Sequence, residues 1–109
     1  RLRGRIMREA DRVLARLDAP IDPGRPATAP PLDREFRDLH RPPRDPMGAI
    51  GNAAGLPAVA VPNGFSESGL PTSLQFMGRA WEDGTVLAAA RAYQAITDWH
   101  QRRPAGAVG

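Results

Sequence analysis

The sequence contains neither lysine nor cysteine among its 109 residues. All fifteen basic residues are arginine, and a guanidinium group does not lose its proton near neutral pH. This chain alone therefore cannot form a Schiff base or complete Ser–Lys catalysis, because both need a neutral amine. The lack of cysteine excludes disulfides, thiol nucleophiles and thiolate metal sites, and it leaves the redox compartment open.

Long apolar runs are also missing, so the sequence predicts no membrane-spanning helix and no membrane partner. No signal peptide opens the chain, and we expect a soluble protein of the cytoplasm. The chain starts at Arg1, inside an amphipathic pattern and without an initiator methionine. We therefore expect it to be cut out of a longer protein.

The positive charge is concentrated near the start of the chain. The formal net charge is only +3, and the first sixteen residues contain six arginines and two acids, Glu9 and Asp11. Nucleic-acid interfaces usually combine clustered basic residues with aromatic platforms or a known module, and neither is evident here. The sequence thus predicts no nucleic-acid partner, and the arginines are interpreted as a solvated helix face.

The first half of the chain combines a helix with a long connector. Apolar residues at three- and four-residue spacings predict a helix over 2–17. Eight of the twelve prolines fall in 19–46, and proline cannot supply the backbone donors that a helix requires. Residues 19–46 are therefore predicted to be a Pro-rich connector, which is too long to stand alone without a surface to lie against.

The second half predicts two strands followed by a helix. The apolar run 56–62 indicates a strand buried on both faces, and 63–69 has the composition of a turn. Alternation over 72–77 predicts a second strand with one face better buried. Asp83 is predicted to cap a helix that ends before Arg102. Two strands alone form a marginal hairpin, so we expect the sheet to continue in strands that this sequence lacks.

The sequence contains no motif for a catalytic or metal site. The serines are Ser66, Ser68 and Ser73, and the only histidines, His40 and His100, lie sixty positions apart. No motif surrounds a Ser–His pair, and no helix-spaced carboxylate accompanies either imidazole. The sequence therefore predicts no catalytic residue, no metal site and no cofactor in this chain.

Asp45 is the one candidate for ligand binding. It precedes Pro46 and the glycine-rich segment 48–55, which runs into the predicted strand and so lacks the strand-to-helix context of a phosphate-binding loop. A carboxylate beside closely packed backbone can bind a cationic group on a ligand. The alternative is an exposed ion pair with Arg41 or Arg44.

Two longer motifs carry a family resemblance. Residues 51–65 read GNAAGLPAVAVPNGF, and residues 69–79 read GLPTSLQFMGR. This pair of segments, with the helix that follows, closely resembles the C-terminal part of amidase signature enzymes, which include amidases and amidotransferase subunits. The resemblance implies an α/β fold, here a C-terminal fragment of an α/β/α layered body around a mixed sheet. The resemblance also implies that residues 1–109 are part of one amidase domain.

The resemblance also implies where the chemistry lies. Family members cleave carbon–nitrogen bonds of amides with a Ser-Ser-Lys triad, and neither the lysine nor a Gly-Gly-Ser-Ser-Gly run is present here. We expect this fragment alone to be inactive, with the remainder of the amidase domain and a small-molecule amide as partners in the intact enzyme. Homo-oligomerisation and the choice between hydrolysis and amide transfer stay open. The alternative is a stand-alone, non-catalytic remnant that acts as a structural or binding module.

The resemblance gives Asp45 a role as well. Counting back from Asn52, Asp45 stands where amidotransferase-like members of the family have an aspartate that binds the ammonium group of the substrate. The resemblance therefore implies that Asp45 is an anionic anchor at the rim of the acyl pocket.

Overall fold

A computed structural model describes residues 2–25, 27–33 and 45–103. The elements, in chain order, are α1 (Leu2–Leu14), β1 (Ile21–Asp22), α2 (Pro46–Ala54), β2 (Ala58–Phe65), β3 (Pro71–Met77), α3 (Asp83–Ala95) and a 3₁₀ helix (Trp99–Gln101). The predicted α/β class is confirmed. His40, Arg41 and Arg44 lie outside the described residues.

The described strands form one antiparallel sheet in the order β1–β3–β2. β2 and β3 are joined as a hairpin, with a bulge between Pro62 and Gly64. β2 continues to Phe65, so the first three residues of the predicted turn 63–69 are strand. β1 pairs Ile21 with Phe76 and was not predicted, because two residues inside the Pro-rich connector are too few to show a period.

One face of the sheet packs against α3 and forms the core. Val61 and Phe76 from the sheet are buried against Val86 and Ala90 of α3. The Tyr93 ring lies 6.2 Å from the Phe76 ring, centroid to centroid, in a tilted arrangement. The predicted better-buried face of the second strand is therefore the face that α3 covers.

The opposite face of the sheet is covered by α2 at the end of β3. Met77 is only 1% exposed, and it packs so closely on Gly51 that a Cβ at position 51 would lie 2.6 Å from the Met77 methyl carbon. Because neighbouring residues of a strand point to opposite faces, α2 and α3 lie on either side of the sheet. β2 is not buried on both faces as predicted, since Ala58 and Ala60 are exposed.

Both long helices end earlier than the sequence predicts. α1 stops at Leu14 rather than at residue 17, because the Leu17 N–H bonds to the Leu14 carbonyl and tightens the last turn. α3 stops at Ala95, where the Tyr93 carbonyl accepts from the Ile96 N–H and from the Thr97 hydroxyl. The chain then continues into the separate 3₁₀ helix.

The start of α3 also differs from the prediction. Glu82, not Asp83, occupies the N-cap position, and its side chain makes no capping hydrogen bond. Asp83 is instead the first helical residue, where its negative charge interacts favourably with the positive end of the helix dipole. The Glu82 carboxylate instead forms an ion pair with Arg79, which precedes the helix.

Candidate functional site

The candidate site begins with α2, a helix that the sequence interpretation missed. Asp45 is its N-cap, Pro46 occupies the first turn, and Gly55 ends the helix with φ 73 in the left-handed region. The Gly55 and Leu56 N–H groups both bond to the Gly51 carbonyl, at 2.7 and 3.0 Å. These caps supply partners for the helix ends, so a glycine-rich segment forms a helix instead of running directly into the strand.

Asp45 is half-buried at the N-terminus of α2, and one of its oxygens is already used. Asp45 Oδ1 accepts a hydrogen bond from the Gly48 N–H at 2.7 Å. A Cβ at position 48 would lie 2.9 Å from Asp45 Cγ and would overlap Oδ2. The carboxylate therefore rests directly over the first turn, in a position that a side chain at residue 48 would block.

A second carboxylate, Asp22, differs from Asp45 because both of its oxygens accept hydrogen bonds from described residues. Asp22 Oδ1 accepts from the Gly24 N–H at 2.8 Å, and Asp22 Oδ2 accepts from Gln75 Nε2 at 3.2 Å. Asp45 Oδ2, by contrast, accepts no hydrogen bond from the residues that the structure describes. An ionised carboxylate has about four acceptor positions, and the described residues use one of those of Asp45, in the capping bond from Gly48.

The structure does not bring the candidate nucleophiles to a base. Ser66 and Ser68 lie in the turn after β2, with their hydroxyl oxygens 2.9 Å apart, and Ser66 Oγ also accepts from the Leu70 N–H. Ser73 lies on β3 opposite Pro62. Over residues 2–25, 27–33 and 45–103, no hydrogen bond joins a serine to His100. The hydroxyl groups of Ser66 and Ser68 thus contribute hydrogen bonds to the hairpin turn.

His100 belongs to an aromatic and charged cluster near the end of the described chain. Trp99 packs edge-on against Phe65 at 6.1 Å, and the Arg102 guanidinium lies 4.3 Å from the Trp99 ring centre. His100 Nδ1 is buried and has no hydrogen-bond partner among the described residues. The cluster ties the 3₁₀ helix to β2, and the Asp98 carboxylate beside it is paired with the Arg102 guanidinium at 3.2 Å.

The surface electrostatics add no further site. The hydrogen bond to the Glu82 carboxylate raises the pKa of the Arg79 guanidinium above its ordinary value, which keeps an exposed ion pair charged. The described ranges contain no group of three or more His, Cys, Asp or Glu able to hold a metal ion. None of the helices in this part of the chain has the length and apolarity needed to span a bilayer.

The chain is similar to proteins of one family along most of its length. The family model described as Amidase matches residues 1–87. The A subunit of the glutamyl-tRNA(Gln) amidotransferase from Chloroflexus aggregans is 41% identical over 100 residues, which cover 91% of this chain and 20% of that protein. The subunit of the same name from Bordetella avium is 54% identical over 52 residues, or 48% of this chain and 10% of that protein.

A solved structure shares the fold as well as the sequence. The crystal structure of the corresponding glutamyl-tRNA(Gln) amidotransferase subunit from Thermotoga maritima matches with a TM-score of 0.69 and 34% identity, and the match covers 87% of this chain and 21% of that one. The chain thus spans about a fifth of the length of the relatives that it matches along most of its own length. Because the family model matches residues 1–87 and the solved relative shares the fold, this chain belongs to the amidase family.

Proposed function

We propose that this chain is the C-terminal part of an amidase-type enzyme that cleaves carbon–nitrogen bonds of small amides. Residues 1–109 form part of one amidase domain, and 19–46 are a connector within it. The proposal is supported chiefly by the family match, combined with a coverage of only 20% of a relative's length. The chain supplies strands, a covering helix and part of the substrate pocket.

The catalytic triad of this proposal lies outside the chain. A Ser-Ser-Lys mechanism needs an unprotonated amine to draw a proton through one hydroxyl and so activate the other, and the sequence has no lysine. Ser66 and Ser68 of the hairpin turn are hydrogen-bonded to each other, and Ser66 also accepts a hydrogen bond from the local backbone. Both observations support an inactive fragment that depends on the remainder of the domain.

The direct test is an amide-hydrolysis assay on the purified 109-residue chain with a panel of linear primary amides. We expect no turnover above a buffer blank. Robust turnover by the chain alone would overturn the proposal, because it would require a nucleophile and base within these residues. Replacing Ser66, Ser68 and Ser73 together by alanine distinguishes trace contamination, since activity that survives the loss of every serine cannot come from a serine nucleophile of this chain.

We also propose that Asp45 anchors a cationic group of the substrate in the intact enzyme. The support is geometric: Oδ1 is fixed by the Gly48 N–H, while Oδ2 accepts from none of the described residues. A hydrogen bond to a charged group contributes about 1.5–3 kcal/mol, which corresponds to roughly a 10- to 100-fold change in affinity. Asparagine is a good N-cap that lacks the negative charge.

This anchoring role is tested in the full-length enzyme with two amides that differ only in an α-ammonium group. Asp45→Asn should raise KM for the ammonium-bearing amide by about 10- to 100-fold and leave KM for the neutral amide unchanged. Equal effects on both amides would indicate that Asp45 acts only on the structure of α2. No effect on either amide would remove Asp45 from the pocket.

The stand-alone alternative makes a different prediction. A non-catalytic module would bind or assemble as the 109-residue chain, without an amidase partner. A stable, saturable complex of this chain with itself, formed when no other part of an amidase domain is present, would favour that alternative over the enzyme fragment. Sedimentation velocity over a range of concentrations provides the measurement.

A further inference from the structure

Helix α1 uses only part of its apolar stripe within the described chain. Ala10 and Leu14 are buried, and Arg3 Nε donates to the Ala53 carbonyl at 3.0 Å, which ties α1 to the C-terminal end of α2. Leu2 and Val13, however, are 72% and 64% exposed. An amphipathic helix normally covers this stripe, so one side of α1 lacks a partner in this part of the chain.

The uncovered side opens into a groove between α1 and α2, which we call the α1–α2 groove. The groove is open on one side and has a volume of about 470 Å³, with Met77 in its lining. Arg5 and Glu9 are the charged residues of its lining. Its apolar lining consists mainly of Leu2, Ile6, Val13, Met47, Ile50 and Leu56. A cavity of this size and composition is suited to several aliphatic or aromatic side chains.

We propose that the α1–α2 groove receives apolar side chains from the part of the amidase domain that this chain lacks. The inference rests on the proposed function, and it locates the surface through which this chain contacts the rest of the domain. The same framework matches 21% of the Thermotoga maritima chain at a TM-score of 0.69, so in that relative about four-fifths of a much longer polypeptide is available to pack against it. An uncovered apolar groove is the expected mark of an interface inside such a domain.

A second copy of this chain is a poorer occupant. A two-fold dimer through this surface would set one concave groove against another. The exposed apolar residues Trp81 and Ile96 flank α3, which packs on the opposite face of the sheet from α2. A copy that inserted either residue into the groove would form a head-to-tail contact, which builds rings or open filaments and not a two-fold dimer.

The experiment uses the absence of cysteine. Val13→Cys places a single thiol in the groove, and Arg12→Cys places one on the neighbouring residue, whose side chain is 75% exposed and forms an ion pair with Glu9. Each variant is labelled with a maleimide, alone and after co-expression with the part of the Thermotoga maritima subunit that has no counterpart here. We expect the complement to slow labelling of Val13→Cys at least tenfold and that of Arg12→Cys less than twofold.

A second measurement does not depend on thiol chemistry. Val13→Asp should reduce co-purification of the tagged chain with the complement at least tenfold, because a carboxylate would be buried without a partner. Arg12→Gln should leave co-purification unchanged. Val13 is largely exposed in the chain alone, so we expect Val13→Asp to keep the circular dichroism spectrum of the unmodified chain.

The outcomes separate this inference from the proposed function. If the two pieces associate and hydrolyse amides but Val13→Cys stays as reactive as Arg12→Cys, the proposed function holds and the groove is not the interface. If the pieces neither associate nor hydrolyse amides, both proposals are overturned. Concentration-dependent protection of Val13→Cys in the chain alone would identify a second copy as the occupant and overturn the inference.

Discussion

Phe76 provides the sharpest test of the core between the sheet and α3. Its side chain is 5% exposed and lies among Val61, Val86 and the Tyr93 ring. Removing a fully buried phenylalanine side chain from the apolar interior costs about 1.5–3 kcal/mol in transfer free energy. The cavity left behind raises the usual cost of Phe→Ala to about 3–5 kcal/mol. We therefore expect Phe76→Ala to lower the free energy of unfolding by that larger amount.

The assay is urea denaturation of the purified chain, followed by far-UV circular dichroism and extrapolated linearly to water. Small domains are stable by only about 5–15 kcal/mol, so Phe76→Leu, which leaves a smaller cavity and should cost less than Phe76→Ala, provides a second, smaller step. Leu87→Ala is the control, since Leu87 is on α3 but 56% exposed. It should change stability by less than about 0.5 kcal/mol. Equal losses from Phe76→Ala and Leu87→Ala would refute the assignment of Phe76 to the core.

Three further predictions concern close contacts and caps. Gly51→Val should cost about 1–3 kcal/mol, because a Cβ at this position would lie 2.6 Å from the Met77 methyl carbon and Met77, at 1% exposed, is enclosed on its other sides; an unchanged urea midpoint would show that the Met77 side chain can move aside. Gly78→Ala should destabilise the chain by a similar amount, because its Cβ would lie 2.5 Å from a valine methyl carbon of α3, whereas Gly84→Ala, with open space around it, should not. Asp45→Ala should cost about 0.5–2 kcal/mol by removing the N-cap of α2, and Asp45→Asn should cost little; equal thermal midpoints for the two variants would contradict the capping role.

The elements with a clear local period were predictable from the sequence. Alternation over 72–77 identified β3 and its buried face, which includes Leu74 and Phe76. The apolar spacing of α1 was also sufficient, except at its end. There a single bond from Leu17 back to Leu14 decides the boundary, and periodicity carries no information about such bonds.

The missed elements depend on information of other kinds. α2 was recognisable in principle, because Asp45 followed by Pro46 is an N-cap and first-turn pair and Gly55 is a typical residue just beyond a helix. The glycines between them obscured the signal, since glycine is a poor helix former. β1 was not recognisable, because its pairing with β3 joins Ile21 to Phe76 across about half of the chain. Only the fold supplies that contact.

The order in which partners occur along the chain has a consequence for folding. The β2–β3 hairpin closes through a short turn in which the Ser66 N–H bonds to the Leu70 carbonyl, so it can form early and locally. β1 must wait for β3, and α1 must wait for α2, because each partner lies far downstream. Closing such long loops costs entropy before any contact is gained. Within this chain the amphipathic α1 therefore leaves the ribosome before α2, and the hydrogen bond from Arg3 to the Ala53 carbonyl can form only after α2 has been made.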